Sequence, residues 1–362
     1  MRNKLLLTLA ASALAVGAIS TEGALAAKSK SSEPLPFSSK EKANGAKYHP
    51  EILKEFGGAY QSPQTAYVER VGKKIALQSG LANSEGEFTV TFLNSAVNNA
   101  FAIEGGYVYI TRQLAALCNS EAEMAGVLGH EVGHTAARHS KKRQKQATLA
   151  NIIGVLGTIG GAMIGDNGGL AGALGGAAQQ YSGQLAQLFT LKYSRGQEEQ
   201  ADDLGIKYLS KAGYDPSALS AMLNSLALQT AVDAKVAGLN AHSVPEWAST
   251  HPDPAKRVVR AATNAKKYPA STVRNADAHF KAIDGMMYDD DPKEGVIEGQ
   301  EFLHPDLRLR FAVPNGFGMS NGTQAVTISG NGGKALFTTQ PYNGDRKAYI
   351  DAAFKAVVGD KQ

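Results

Sequence analysis

Apolar residues recur along this chain with two periods, and the switches between them mark out its elements. From Thr65 to Ser79, Val68, Val71, Ile75 and Leu77 follow mostly helical spacing, which gives one apolar helix face. Phe88, Val90 and Phe92 alternate with Thr89 and Thr91, the two-residue period of a strand. A Gly105-Gly106 turn leads into a second strand, Tyr107 to Thr111. Ser120 followed by Glu123 predicts a capping box, and with it a helix running to about Ser140. Another helix is expected from Ser194 to Ala212, stopped by Gly213 and the Asp215-Pro216 pair. Asp253-Pro254 opens a further one, to about Lys267, with Asp as its N-cap and Pro at its first position.

Between these elements the pattern fails, and the failures define the organisation. Residues 27–45 are rich in Ser, Lys and Pro and read as a mobile leader, so that 27–60 is taken as leader and linker. In the segment 148–190, Leu149 to Ile164 is apolar and rich in glycine. The uncharged run from Ala147 to Gly165 approaches the length of a membrane span, while its glycines suit close helix packing. Two readings stay open there: a packed helical hairpin, and a membrane-dipping or lid segment. Asp290, Asp291, Pro292 and Gly295 mark a linker, after which Ala325–Ser329 and Ala335–Thr339 read as strands and Arg346–Val358 as a helix. In that region His304-Pro305 reads as a turn. The fold class implied is α+β: a mostly helical domain with a small sheet at 61–285, and a short α/β C-terminal domain at 292–362.

Composition narrows the class. A hydrophobic content of 43% and a charged content of 19% fit a chain with a real core. The net charge of +4 is mild and scattered, and no nucleic-acid-binding module is visible, so no nucleic-acid partner is expected. Arg2 and Lys4 precede an uncharged stretch from Leu5 to Ile19, and Ala24-Leu25-Ala26 follows with small residues at cleavage spacing. Residues 1–26 therefore read as a signal peptide, with a retained anchor as the alternative. Cys118 is the single cysteine, which excludes an internal disulfide and a multi-thiolate metal site. Its apolar neighbours, Leu114 to Leu117, predict burial. The basic run Arg138, Lys141, Lys142, Arg143 and Lys145 suits a helix C-terminus, and alternatively anionic lipid.

The chemistry concentrates on His130-Glu131-Val132-Gly133-His134. Positions i and i+4 share a helix face, so His130 and His134 can aim two imidazoles at one zinc ion. Glu131 sits beside them, where a carboxylate can take a proton from a zinc-activated water as it attacks a carbonyl carbon. Gly133 costs helix propensity and suggests close backbone packing behind the metal. Zinc needs a third protein ligand besides water. Downstream, Glu198 and Asp202 stand again at i and i+4, and read either as a ligand with its orienting partner or as a solvated acidic face.

Taken together, Leu128-Gly129-His130-Glu131-Val132-Gly133-His134, Glu198-Glu199-Gln200-Ala201-Asp202 and Ser249-Thr250-His251-Pro252 resemble the CAAX-prenyl-protease-like family of gluzincin zinc metallopeptidases. The resemblance covers roughly residues 50–270. It implies one Zn²⁺ per chain held by His130, His134 and Glu198, with Asp202 behind the ligands. It also implies that His251 lies near the metal, as a switch or an oxyanion stabiliser, and that Arg257 lines the cleft. Asn99 and Ala100 resemble the edge-strand segment that receives a peptide backbone. Together with the export signal, the resemblance implies a soluble periplasmic member acting on misfolded or stalled envelope proteins. Peripheral membrane contact through 138–190 and a link to outer-membrane assembly machinery are further expectations. A chaperone or adaptor with gated or minor proteolysis is the alternative function, and an integral membrane protease is a third.

Overall fold

Alternating apolar and polar residues predict a sheet covered on one face only. In the computed structural model, which describes residues 34–143, 192–236, 247, 250–322, 325–330, 332–338, 342 and 344–358, both faces of the first sheet are buried. β1 (Thr89–Leu93), β2 (Ala100–Ile103) and β3 (Tyr107–Thr111) are arranged in the order β1-β3-β2, with β3 parallel to β1 and antiparallel to β2. Val90, Phe92, Val108 and Ile110 point into a main core with Val68, Val71 and Ile75 of α2 (Thr65–Leu77). Leu93, Ile103 and Tyr109 form a second cluster with Ile52 and Phe56 of α1 (Ser39–Glu55).

The helix α1 corrects the expectation of a mobile leader over 34–45. Ser38 and Glu41 form a full capping box, and Ile52 and Phe56 supply the cover that the second sheet face needs. The polar composition of this stretch conceals a helix whose apolar anchors lie near its C-terminal end. Glu41 is buried and also binds Arg138 Nε at 3.0 Å and Lys141 Nζ at 2.8 Å. Two members of the basic run are therefore engaged by an internal carboxylate. Burial alone would raise the Glu41 pKa, but Lys141, Ser38 and Arg138 together pull it down to about 2. A carboxyl depressed on folding stabilises the fold above its ordinary value of 4.5 and loses that contribution as pH falls toward the folded value. Glu41→Gln is expected to cost about 1–3 kcal/mol near neutral pH. In thermal unfolding, the gap to wild type should narrow steadily as pH drops below 4.5; a gap independent of pH would contradict the ionic assignment.

The remaining helices follow their signals with informative departures. After α3 (Arg112–Leu117) comes α4 (Glu121–Ala136), which begins where expected. Only half of its capping box forms, however. Ser120 accepts from the Glu123 N–H, while the Glu123 carboxylate takes the backbone and side-chain N–H groups of Asn119. The helix also stops four residues short of Ser140. Arg138 adopts a left-handed conformation, φ 55°, and helical structure resumes at 139–143. α5 (Arg195–Lys211) has a complete capping box from Ser194 and Gln197. α6 (Ala218–Val236) buries Leu219, Met222, Leu223 and Leu226, a helical spacing that follows the Asp215-Pro216 signal. α7 (Pro254–Ala265) has Pro at its start, but Asp253 is left-handed at φ 58° and makes no cap bond, its carboxylate meeting Lys256 instead. α8 (Ala276–Ile283) carries the buried His279, which bridges Tyr67 Oη and the Cys118 carbonyl. Cys118 is buried as expected, with its sulfur 3.7 Å from Met222 Sδ.

Beyond α8 the chain is tied to the first sheet's surroundings. Arg112 donates to Asn94 Oδ1 and the Met287 carbonyl, and Asn94 in turn donates to Asp291. Two three-stranded antiparallel sheets follow, β4 (Val296–Glu298), β5 (Glu301–His304) and β6 (Leu309–Ala312), then β7 (Phe317–Asn321), β8 (Ala325–Gly330) and β9 (Gly333–Thr338). The last two strands lie where the alternation places them, and α9 (Arg346–Val358) closes the described chain. The architecture is α+β. Residues 1–26, read as a signal peptide, lie outside the described residues, as does all of the expected membrane-contact segment 138–190 beyond residue 143. Among the described residues, no helix is long and apolar enough to cross a membrane.

Candidate metal centre

The site is made by the close approach of α4 and α5. Gly133 faces Ala201 and Leu204, and a Cβ added there would lie 3.0 Å from the Ala201 carbonyl oxygen. On the other helix, a Cβ at Gly205 would lie 3.1 Å from the His130 backbone nitrogen. These two missing side chains let the backbones meet, and the packing behind Gly133 is what its helix cost suggested. Each helix then projects one i, i+4 pair toward the other: His130 and His134 from α4, Glu198 and Asp202 from α5.

Four buried donors converge there. His130, His134, Glu198 and His251 place one ligand atom each within 4.8 Å of all the others. His130 Nε2 lies 3.0 Å from His134 Nε2 and 3.3 Å from His251 Nδ1, and Glu198 Oε1 lies 3.3 Å from His134 Nε2 and 3.1 Å from His251 Nδ1. Three imidazole nitrogens and a carboxylate at this spacing are a donor set that zinc accepts. The charge balance agrees. The carboxylates of Glu131, Glu198 and Asp202, when ionised, outnumber the buried guanidiniums of Arg257 and Arg143 by one, a negative excess that favours a cation at the cluster.

The outer contacts fix these groups. His130 Nδ1 meets Asp202 Oδ1 at 2.9 Å. Arg257 grips both Asp202 oxygens, at 2.6 and 2.9 Å, and hydrogen-bonds Glu198 through Nη1. Burial opposes ionisation of Glu198, but His251, His134 and Arg257 overcome it and hold its carboxyl far below the usual range. Asp202 is lowered likewise, against its burial, by Arg257 and His130. Burial drives His134 well below the ordinary histidine value despite Glu198. A neutral imidazole has a free lone pair, as a metal ligand must.

Glu131 is not among the four donors. Its Oε1 accepts from the Trp247 indole N–H at 3.0 Å and lies 3.6 Å from His251 Nε2. Trp247 stacks on His251 with 4.6 Å between ring centres and 10° between planes. The Trp247 backbone N–H donates to the Asn98 carbonyl, beside the edge strand. Asn99 and Ala100 lie next to it. The Asn99 carbonyl accepts from the Thr111 N–H, and the Asn99 N–H donates to Thr111 Oγ1. By the alternation of an antiparallel ladder, the backbone groups of Ala100 and Ala102 turn instead to the free edge of β2. A cavity of about 440 Å³ reaches Glu198 and Arg257 from the side of Asp253, Lys256 and Arg260, but His130, Glu131 and His134 do not line it.

The structure thus brings together His130, Glu131, His134, Glu198, Asp202, His251 and Arg257, and leaves Asn99 and Ala100 at the adjoining sheet edge. Sequence reasoning missed Trp247, Tyr193 and His139. Tyr193 stacks on His134 at 3.7 Å. Trp247 is the lone tryptophan and stands four residues before His251, a spacing that offered a signal.

Comparison with known proteins follows the same boundaries. The model of peptidase family M48 matches residues 62–265, more than half of the chain. The beta-barrel assembly-enhancing protease of Yersinia pestis is 31% identical over 225 residues, which cover 61% of this chain and 43% of that one. Its counterpart in Escherichia coli strain K12 is 26% identical over 221 residues, 60% of this chain and 42% of that one. The mitochondrial metalloendopeptidase OMA1 of Schizosaccharomyces pombe is 28% identical over 216 residues, 58% and 56% of the two chains. The match therefore spans about two fifths of the first two relatives' length and little more than half of the third's.

Proposed function

Because the chain belongs to peptidase family M48, we propose that it is a zinc-dependent endopeptidase of the cell envelope that hydrolyses misfolded or stalled envelope proteins. The observation that carries this reading is the convergence of His130, His134, Glu198 and His251 beside the Glu131 carboxylate. Zinc, when held there, supplies Lewis acidity toward a peptide carbonyl and acidifies water toward neutral pH.

The chain's own residues do the rest. His130, His134 and Glu198 hold the ion. Asp202 orients His130 through Nδ1, and Arg257 keeps both carboxylates ionised and in place. Glu131 takes the proton of the attacking water and passes it to the leaving amine. The substrate backbone lies along the free edge of β2, on the outward groups of Ala100, with Asn99 anchoring that strand to Thr111.

The stacked rings of His251 and Trp247 support reading this form as closed. His251 Nδ1 takes a fourth donor position, and the Trp247 indole occupies the oxygen of Glu131 that a water would use. Opening moves the two stacked rings together. His251 Nε2, now 3.6 Å from Glu131, is then placed to stabilise a developing oxyanion.

The peptidase domain is assigned to 61–285, with 292–362 as a C-terminal domain of separate role. Residues 1–26 support export, and with the assembly-enhancing relatives they support a periplasmic location. Peripheral membrane contact is assigned to 138–190, and the same relatives' name supports a link to beta-barrel assembly.

Metal removal tests the reading. Zinc-loaded protein is expected to cleave unfolded casein, to stop when a chelator strips the ion, and to recover when zinc alone is returned. Cleavage indifferent to the chelator would overturn the proposal.

A further inference from the structure

The two imidazoles of α4 are supported from behind by different devices. His130 has the Asp202 carboxylate at Nδ1. Behind His134 stands another imidazole: His134 Nδ1 lies 2.8 Å from His139 Nδ1, and His139 Nε2 lies 3.0 Å from Gln200 Oε1. His139 is fully buried, with both ring nitrogens engaged.

The proton positions follow from valence. Between two ring nitrogens at hydrogen-bond distance, one donates and the other accepts. His134 turns Nε2 to the donor cluster, so its proton sits on Nδ1 and His139 Nδ1 must accept it. The His139 proton then sits on Nε2 and donates to the Gln200 carbonyl oxygen, which can only accept. This arrangement gives both His139 ring nitrogens, His134 Nδ1 and the Gln200 oxygen a partner of the right kind. The reverse one would point a proton from His134 Nε2 into the cluster, where a metal needs a lone pair.

We propose that His139 and Gln200 are positioning residues for the metal ligand His134, fixing its tautomer and ring orientation as Asp202 does for His130. The inference rests on the zinc reading above and extends it to residues outside the donor set.

The backbone explains how His139 reaches this place. In an unbroken helix, a residue five positions on lies about 140° around the axis and cannot face back to its starting point. The left-handed Arg138 breaks α4 between the two histidines and redirects the chain. Arg138 is itself held by Glu41, the Leu35 carbonyl and the Thr135 carbonyl. The N-terminal helix thereby braces the turn that brings His139 behind the ligand.

The test is zinc affinity, measured by chelator competition on the full chain for wild type, His139→Leu, His139→Asn and Gln200→Leu. A metal ligand that loses its orienting partner loses roughly 10–100-fold in affinity. His139→Leu is expected to fall in that range. His139→Asn, whose carbonyl oxygen can replace the Nδ1 acceptor, should recover most of the loss. Gln200→Leu, at an exposed position, should lose roughly tenfold. The visible spectrum of the cobalt-loaded protein should change in both Leu variants and return toward wild type in the Asn variant. A wild type that holds no zinc overturns the inference together with the reading beneath it. A wild type and His139→Leu variant of equal affinity and equal cobalt spectrum overturn the inference alone, as does a loss that Asn fails to relieve while Gln200→Leu binds normally.

Discussion

Glu198→Ala is expected to release the zinc ion and to loosen the metal-free fold, two effects with different causes. The first is loss of the one carboxylate from a set otherwise made of imidazoles, which should weaken binding by at least about a hundredfold, beyond what loss of an orienting residue does. The second comes from Arg257. Its guanidinium is buried and shared between Glu198 and Asp202, so removing one carboxylate leaves Nη1 with no anion to meet. Removing one partner of a buried ion pair costs about 3–5 kcal/mol, because the other is left charged in a poorly hydrated place. Burial of Glu198 itself is unfavourable, and its removal returns part of that cost, so the lower end of the range is expected. Glu198→Gln separates the two effects. Its amide oxygen can still accept from Arg257, so the metal-free protein should unfold near the wild-type temperature while zinc binding stays weak. Metal content after dialysis and the unfolding temperature of metal-free protein check both. A Glu198→Ala variant that retains a full equivalent of zinc would remove this residue from the ligand set.

The physical logic behind the site is an exchange of strain and charge between neighbouring elements. Two glycines that weaken their helices allow α4 and α5 to approach, and the approach brings ligands on both helices to one point. The carboxylates that would repel one another are held by Arg257 from α7. The indole of Trp247 and the imidazole of His251 stack beside Glu131, and on the proposed reading their movement opens the site. On the proposed reading, that geometry restrains cleavage.

Much of this was legible in the sequence where the determining pattern is local. The shared face of His130 and His134 follows from helix period, as does the half-buried helix α2 from its apolar spacing, whereas period alone left Glu198 and Asp202 open between a ligand pair and a solvated acidic face. The resemblance drew His251 and Arg257 to the same place, which spacing across some fifty residues could not do. What stayed hidden depends on distant partners or on backbone breaks. α1 was masked by its polar composition, because the reason for it is the uncovered second face of the sheet at Leu93, Ile103 and Tyr109. His139 lies off the helix face in register, and only the left-handed turn at Arg138 carries it to His134; an arginine gives no sequence sign of that conformation, as a glycine or asparagine would. The expected box at Ser120 formed by half because Asn119 offered the Glu123 carboxylate two donors instead of one. The short strands β4 to β7 passed unread because three- to five-residue runs with mixed burial carry little period.

The measurement that bears most directly on the central claim is cleavage of unfolded casein by the zinc-loaded chain beside its Glu131→Gln variant. Glu131 contributes no donor to the cluster, so the variant should bind zinc as wild type does. Its amide still accepts from the Trp247 indole, so the fold should be undisturbed. What it loses is the capacity to take and return a proton, which is worth about 10²–10⁴-fold in rate. The account predicts equal zinc content, equal unfolding temperature and a loss of cleavage by at least that factor. Equal cleavage by both proteins would place the hydrolysis elsewhere and contradict the account.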